Sequence, residues 1–293
     1  MTDTILVTGA SGQLGGRVIH HLLETQKVDP ARLIATTRDP AKLADLAAKG
    51  VTVRAGDFKD PASLPKAFEG AQKLLIISGS DIGERLTQHK AAVGAAVIAG
   101  VKRLSYTSMP NPEPGNSVVF APEHYGTEQA IRETGLPYTI YRNGWYQENL
   151  LMALPQALAS GQWYTSAGGG RVAHAARDDI AAAIAAVLAS DEGDSITYTL
   201  TGPEALTTDE IAARASKAIG KPLQVVHVTD EQLAGGMKAA GVPEAYVPML
   251  VSFDTNTREG GIDIVTDDMK KLSGRAPAPI ETFFEANKAA LLG

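Results

Sequence analysis

Thr4-Ile5-Leu6-Val7-Thr8-Gly9-Ala10-Ser11-Gly12-Gln13-Leu14-Gly15 carries the chain from a short apolar run, through glycines spaced three apart, into a helical pattern that begins at Leu14. Strand, tight turn and helix in that order are the setting in which such glycines have separate tasks. Gly9 permits the turn, Gly12 lets the backbone approach a bound pyrophosphate, and Gly15 lets the helix pack closely on the strand. Amides at the helix start then meet the negative phosphates. Thr8, Gly9, Ser11, Gly12, Gln13, Leu14 and Gly15 are therefore the candidate dinucleotide-binding residues.

Working outward from that turn, β-rich runs alternate with helical patterns at Thr4 to Thr8, Leu33 to Thr37, Val51 to Arg54, Lys73 to Ser78, Arg103 to Thr107 and Tyr138 to Tyr141. Apolar residues at three- and four-residue spacing predict helices at Leu14 to Glu24, Ala41 to Lys49, Ala62 to Phe68, Glu84 to Ala99 and His124 to Thr134. Gly50, Gly70, Gly100 and Gly135 each close a helix before a strand. The expected architecture is α/β: a Rossmann-like doubly wound parallel sheet of six strands, covered by helices on both faces.

After Arg142 the rhythm changes. Trp145 to Ser160 reads as helix, Ile196 to Leu200 and Leu223 to Val228 as isolated strands, and Thr229 to Leu292 as mostly helical. The expected division is an NAD(P)-binding domain over 1–144, with a later return near 171–190, and a smaller mixed α/β lobe over 145–293 for substrate. The lobes lack a flexible linker and are expected to pack together.

The 293 residues are 44% hydrophobic and 20% charged, which is ordinary for a compact globular protein. A chain of this size buries roughly 70 to 75% of its unfolded surface, enough for a large core. A net charge of −6 gives no general attraction to nucleic acid or anionic lipid. Cysteine is absent, which removes disulfides, thiolate metal sites and thiol nucleophiles. The six histidines show no metal-ligand spacing, so no metal is expected. Met1-Thr2-Asp3 leads directly into the first strand without the features of a signal peptide, and no run reaches bilayer length; the expected location is the cytoplasm. The Ala-rich stretch Ile180 to Ala189 reads as a buried helix, with Asp178 and Asp179 favouring its dipole.

Where an NAD-binding unit usually carries an acidic residue after its second strand, this chain reads Thr36-Thr37-Arg38-Asp39. The planar, permanently charged Arg38 suits a 2′-phosphate, so NADP(H) is preferred. The alternative is that Arg38 merely solvates a strand end or pairs with Asp39. Asp57, in Gly56-Asp57-Phe58, either faces the adenine amino group or caps the turn near Pro61.

The glycine turn, Gly56-Asp57-Phe58, Gly135-Leu136-Pro137-Tyr138-Thr139-Ile140-Tyr141-Arg142 and Arg177-Asp178-Asp179-Ile180 together resemble atypical short-chain dehydrogenase/reductases of the NmrA-like group. His124-x-x-x-Glu128 followed by Ile131-Arg132 is most similar to the bacterial NAD(P)H:quinone oxidoreductases and triphenylmethane-dye reductases of that group. The resemblance implies NADPH lying across the carboxyl ends of the strands, near Phe58, Ser78, Gly79, Asn143 and Gly144, with substrate under the C-terminal lobe. Aligned with the Tyr-x-x-x-Lys dyad of ordinary short-chain dehydrogenases, His124 takes the lysine place and Phe120 the tyrosine place. A phenyl ring transfers no proton, and taking Tyr125 as the base instead breaks the register. His124 then has three readings: a hydrogen bond to the nicotinamide ribose, proton donation to a quinone oxygen, or packing alone. Trp145 and Tyr146 are candidates for stacking on a flat substrate, and equally for core residues.

The expected function is an NADPH-dependent oxidoreductase delivering hydride to a quinone or similar planar electron-poor acceptor, without flavin. The rivals are an NADP(H)-binding redox sensor of the NmrA-like type that does not turn over, and a reductase or isomerase of a specific secondary metabolite. A hydrolase is excluded by the lack of a G-x-S-x-G elbow. Gly168-Gly169-Gly170 reads as a flexible bend. Val93 to Ala99 offers a face for a homodimer, although packing on the sheet explains it better.

Overall fold

The computed structural model describes residues 3–190 and 193–293. The leader-free reading of Met1 and Thr2 lies outside those residues. Seven strands form one parallel sheet: β1 (Ile5–Val7), β2 (Leu33–Thr37), β3 (Thr52–Ala55), β4 (Lys73–Ile76), β5 (Arg103–Ser108) and β6 (Tyr138–Asn143) from the first half, and a seventh from the second. Their order is β3-β2-β1-β4-β5-β6 and then Ile196–Leu200. The chain therefore winds outward both ways from β1, and the crevice at the β1/β4 switch point opens at the carboxyl ends of the strands.

The pleat explains the continuous apolar runs. Ile5 and Val7 point into one core with Leu33, Ala35 and Leu75, while Leu6 points to the other with Ile34, Leu74 and Ile76. Both faces are covered, so polar alternation would leave charges buried. Helices α1 (Gln13–His20) and α2 (Ala44–Ala48) lie on the first side. Helices α3 (Leu64–Phe68), α4 (Arg85–Ile98) and α5 (Ala121–Glu133) cover the second through Phe68, Ala92, Ala96 and Ile131. Gly50, Gly70, Gly100 and Gly135 all close their helices at positive φ.

The second half contributes α6 (Leu150–Ser160), β7 (Gln162–Thr165), β8 (Arg171–Val172), α7 (Arg177–Ala189), β9 (Ile196–Leu200), β10 (Leu206–Thr207), α8 (Thr208–Ile219), β11 (Gln224–His227), α9 (Asp230–Ala239) and α10 (Val247–Arg258), then three short helices. Reading Ile196 to Leu200 as an isolated strand was incorrect: β9 pairs in parallel with β6, Thr139 opposite Ile196 through Asn143 opposite Leu200. Periodicity reports a strand but not its partner, here more than fifty residues upstream. Helix α7 packs its small face, Ala181, Ala183, Ile184 and Ala185, into the core under α1. Its first turn is tied by Asp178 to His21 and by Asp179 to Arg275 and the Ala278 N–H. No helix among the described residues is long and apolar enough to cross a membrane.

The remaining elements form a separate core around Leu150, Leu154, Leu158, Ile211, Ile219, Phe283 and Phe284, with two small sheets, β10-β8 and β11-β7. The glycine run at 168–170 is not a loose bend: a Cβ on Gly170 would stand 2.2 Å from the Thr257 carbonyl oxygen, so glycine here permits α10 to pack against the loop.

Candidate active site

The turn after β1 is closed by hydrogen bonds from Gly12 N–H to Gly9 O (2.9 Å) and from Ala10 N–H to Thr36 O (3.0 Å). Gly9 sits at φ +59°, and a Cβ on Gly15 would lie 2.4 Å from the Gly9 carbonyl oxygen. Thr8 braces the turn from beneath, donating from Oγ1 to Leu75 O and accepting from Ile77 N–H. Ser11 Oγ meets Thr37 Oγ1 at 2.7 Å. Helix α1 has no side-chain cap and no acidic residue in its first turn, and Ser11, Gly12 and Gln13 are exposed. Uncapped amides with no carboxylate beside them suit a pyrophosphate, and Leu14, buried behind them, anchors the helix to the core.

Arg38 is exposed just past β2. Asp39 is turned away from it, accepting from Ala41 N–H at the following helical turn, so the pairing of these two neighbours is not formed. Across the crevice Asp81 is held below the usual carboxylate range by its hydrogen bonds to Lys59 and Gln88, with the Lys59 and Arg38 charges adding to the effect. Asp57 folds back on its own loop, accepting from Lys59 N–H (3.0 Å), while Phe58 packs edge-on to His89.

A cleft of about 1270 Å³ opens beside this edge, between the sheet and the second lobe. It brings together Ser78, His124, Asn143, Gly144, Trp145 and Tyr146, with Ser108, Phe120, Trp163, His174 and Phe253. The glycine turn, Arg38, Asp57, Phe58 and Gly79 do not line it; they follow the carboxyl ends of β1 to β4. Gly144 is squeezed where the lobes meet, its N–H spent on Leu200 O (2.8 Å) and a Cβ there 3.1 Å from the same oxygen. Asn143 donates from Nδ2 to the Tyr146 hydroxyl (3.3 Å) and leaves Oδ1 sealed and unpartnered. Trp145 meets Phe253 and Phe120 edge-on, and Arg177 lies 4.6 Å over the Tyr146 ring. Tyr125 does not reach the cleft, whereas Phe120 forms part of its wall.

Helices α4 and α5 carry a polar chain into this apolar setting. Arg85 Nη1 donates to His124 Nε2 at 2.9 Å. Because guanidinium has no acceptor atom, His124 must carry its proton on Nδ1, from which it donates to the Tyr106 hydroxyl at 2.7 Å. Gly79 N–H likewise donates to His89 Nε2, which directs His89 Nδ1–H to Thr127 Oγ1. Burial, reinforced by the Arg85 charge, pushes His89 down to about 3 and His124 well below the ordinary histidine range; burial also pushes the Tyr106 hydroxyl up. His174, also lowered by burial to about 4, keeps an unpartnered Nδ1. A further ion cluster fixes α5 to β6: fully buried Glu128 accepts from Arg142 Nε (3.0 Å) and Nη2 (2.8 Å) and from Arg132 Nη2 (3.1 Å).

Sequence reasoning missed Arg85, His89, Tyr106 and His174 as members of the site. The i, i+4 spacing of Arg85 and His89 was visible as one helix face, but nothing local showed that this face meets α5 and β5.

Fold and site together define a dinucleotide-binding α/β protein with a large aromatic-walled cleft. Residues 1–284 match the NmrA-like family, and the chain belongs to it. It is 39% identical over 282 residues to Quinone oxidoreductase 2 of Escherichia coli, covering 96% of both chains. The crystal structure of an E. coli NADPH-dependent quinone oxidoreductase complexed with NADPH superposes with a TM-score of 0.91 at 36% identity, over 96% of this chain and 99% of that one. The triphenylmethane reductase of Citrobacter sp., complexed with NADP(H), gives 0.89 at 38% identity over 98% and 99%.

Proposed function

We propose that this protein is an NADPH-dependent reductase that passes hydride to a quinone or similar planar electron-poor acceptor. The observation that carries the reading is the cleft itself: aromatic-walled, open at the carboxyl ends of β4, β5 and β6, and lined by Phe120, the residue that the family resemblance puts in the tyrosine place. Its volume exceeds the usual range for a single small-ligand pocket, leaving room for a nicotinamide and a planar acceptor together. The similar quinone and dye reductases support the same reading.

In this reading the amides of the glycine turn hold the pyrophosphate, and Arg38 holds the 2′-phosphate. Ser78 and Gly79 pass the cofactor ribose, and Asn143 and Gly144 run close to the nicotinamide, with Thr8, Asp57 and Phe58 shaping the crevice. The bound cofactor supplies the hydride. Trp145 and Tyr146 orient a flat acceptor and exclude water, so that the protein acts chiefly by alignment. The nucleotide unit spans 1–144 with the later return near 171–190, and the substrate lobe 145–293. A cytoplasmic protein, working on a small molecule and not on nucleic acid, and pairing as a homodimer, completes the proposal.

The test is NADPH consumption with benzoquinone, naphthoquinone and a cationic dye, using NADH for comparison. Turnover that prefers NADPH, and loses the preference in Arg38→Ala, supports the reading. Tight NADPH binding without consumption of any acceptor overturns it in favour of a cofactor sensor.

A further inference from the structure

Arg85 is only 6% exposed, yet it lines the cleft. Its Nη1 is engaged with neutral His124, its plane lies 4.8 Å over the Phe120 ring, and its Nε is sealed without a hydrogen bond, 3.9 Å from Glu123 Oε2. Glu123 has its other oxygen on Gly83 N–H. Among the described residues Nη2 makes no hydrogen bond. A buried cation that lacks a close ion pair carries an uncompensated desolvation cost unless something pairs with it. Arg177, the other arginine of the cleft, is half-buried and stacked on Tyr146.

We propose that Arg85 stabilises the anion formed when the acceptor takes up hydride, and that His124 positions the guanidinium without supplying a proton. The inference rests on the proposed reductase activity and assigns it a charge-stabilising residue. A quinone gaining two electrons and one hydrogen from NADPH, which becomes NADP⁺, is converted to the hydroquinone monoanion. One oxygen then carries the negative charge, and a fixed cation in a water-poor site lowers the barrier to forming it. The second proton comes from water. His124 cannot provide it in this arrangement: its Nε2 lone pair faces Arg85, and its Nδ1 proton is directed to Tyr106, away from the guanidinium.

The first test needs neither NADPH nor turnover. 4-Nitrophenol, a phenol that titrates near neutral pH, mimics the hydroquinone and reports ionisation by its visible band. The wild-type protein should bind the phenolate about tenfold or more tighter than the phenol. Arg85→Gln should lose that preference, and Arg85→Lys should retain part of it. Equal affinity for both forms in the wild type, or an unchanged preference in folded Arg85→Gln, overturns the assignment. The wild-type and Arg85→Lys titrations decide the matter even where Arg85→Gln does not fold.

The second test is kinetic. Arg85→Gln should lower kcat for quinone about 100-fold with the KM for NADPH little changed, the scale on which loss of one charge-stabilising donor acts. The charged and titratable groups around the guanidinium are Glu123 and His124 of α5, Tyr106 of β5, His89 one turn along α4, and Asp81 in the preceding loop. Wild-type kcat should be flat from about pH 5.5 to 8. A limb near neutral pH that disappears in His124→Phe would make His124 the acid and overturn its positioning role. Absence of quinone turnover in the wild type retires the reductase reading instead, while the phenolate titration still decides whether Arg85 forms an anion site.

Discussion

Replacing Glu128 with alanine should uncouple α5 from β6, and its cost can be worked from the geometry. Glu128 is fully buried and takes two hydrogen bonds from Arg142 and one from Arg132, while the side chain of Arg142 is 15% exposed. At the 2.8 Å contact and an effective dielectric near 20, the Arg142 attraction alone is about 6 kcal/mol before desolvation. Breaking such a pair from one side typically costs 3 to 5 kcal/mol, because the remaining charge is left buried. Arg142 retains Glu113 as a second partner, which places the expected loss near 3 kcal/mol. For a chain of this length that lowers Tm by about 5 °C. Urea denaturation of the wild type and Glu128→Ala should show this as a shifted midpoint at constant m-value. Glu128→Gln should fall between the two. Since α5 carries His124 and β6 ends in Asn143, quinone kcat should drop as well. A loss below about 1 kcal/mol with unchanged kinetics would refute the claim that this cluster fixes the cleft wall.

Gly15→Ala places a methyl group 2.4 Å from a backbone oxygen, so the turn must open; NADPH binding, followed by fluorescence titration, should weaken at least tenfold, and retained affinity would contradict the glycine-turn assignment. His89, His124 and His174 stay neutral when folded but protonate near 6.5 when unfolded, so the unfolded state binds more protons between that value and the depressed folded pKa. Stability should therefore be fully present above about pH 6.5 and fall as pH drops below it, by up to about 1.4 kcal/mol per unit for each histidine. His174→Asn should flatten part of that slope in urea titrations at pH 6.5 and 5, and a wild-type midpoint equal at both would refute it. Trp145→Ala removes one side of the aromatic wall and should raise the KM for naphthoquinone about tenfold or more, with the NADPH KM unchanged.

The glycine turn was legible in sequence because its constraint is local: the first and third glycines approach each other within seven residues, and backbone sterics alone decide whether a side chain fits. The six strands of the first half were legible because burial on both faces requires continuous apolar runs, and Phe120 was marked only through the family resemblance, which puts it in the tyrosine place. Arg38 stood out as a positive charge where a carboxylate is usual. Strand β9 was not placed, because an edge strand carries the same local pattern whichever sheet it joins. The state of His124 could not be read either. It depends on Arg85, 39 residues earlier, and Tyr106, 18 residues earlier. Sequence by itself determined the fold class and marked the glycine turn as the candidate cofactor turn, because both rest on short segments. Only the tertiary structure decided which histidine nitrogen carries the proton and which buried cation lines the cleft, because those follow from packing α4, α5 and β5 together, where low dielectric and fixed hydrogen-bond donors select a single arrangement.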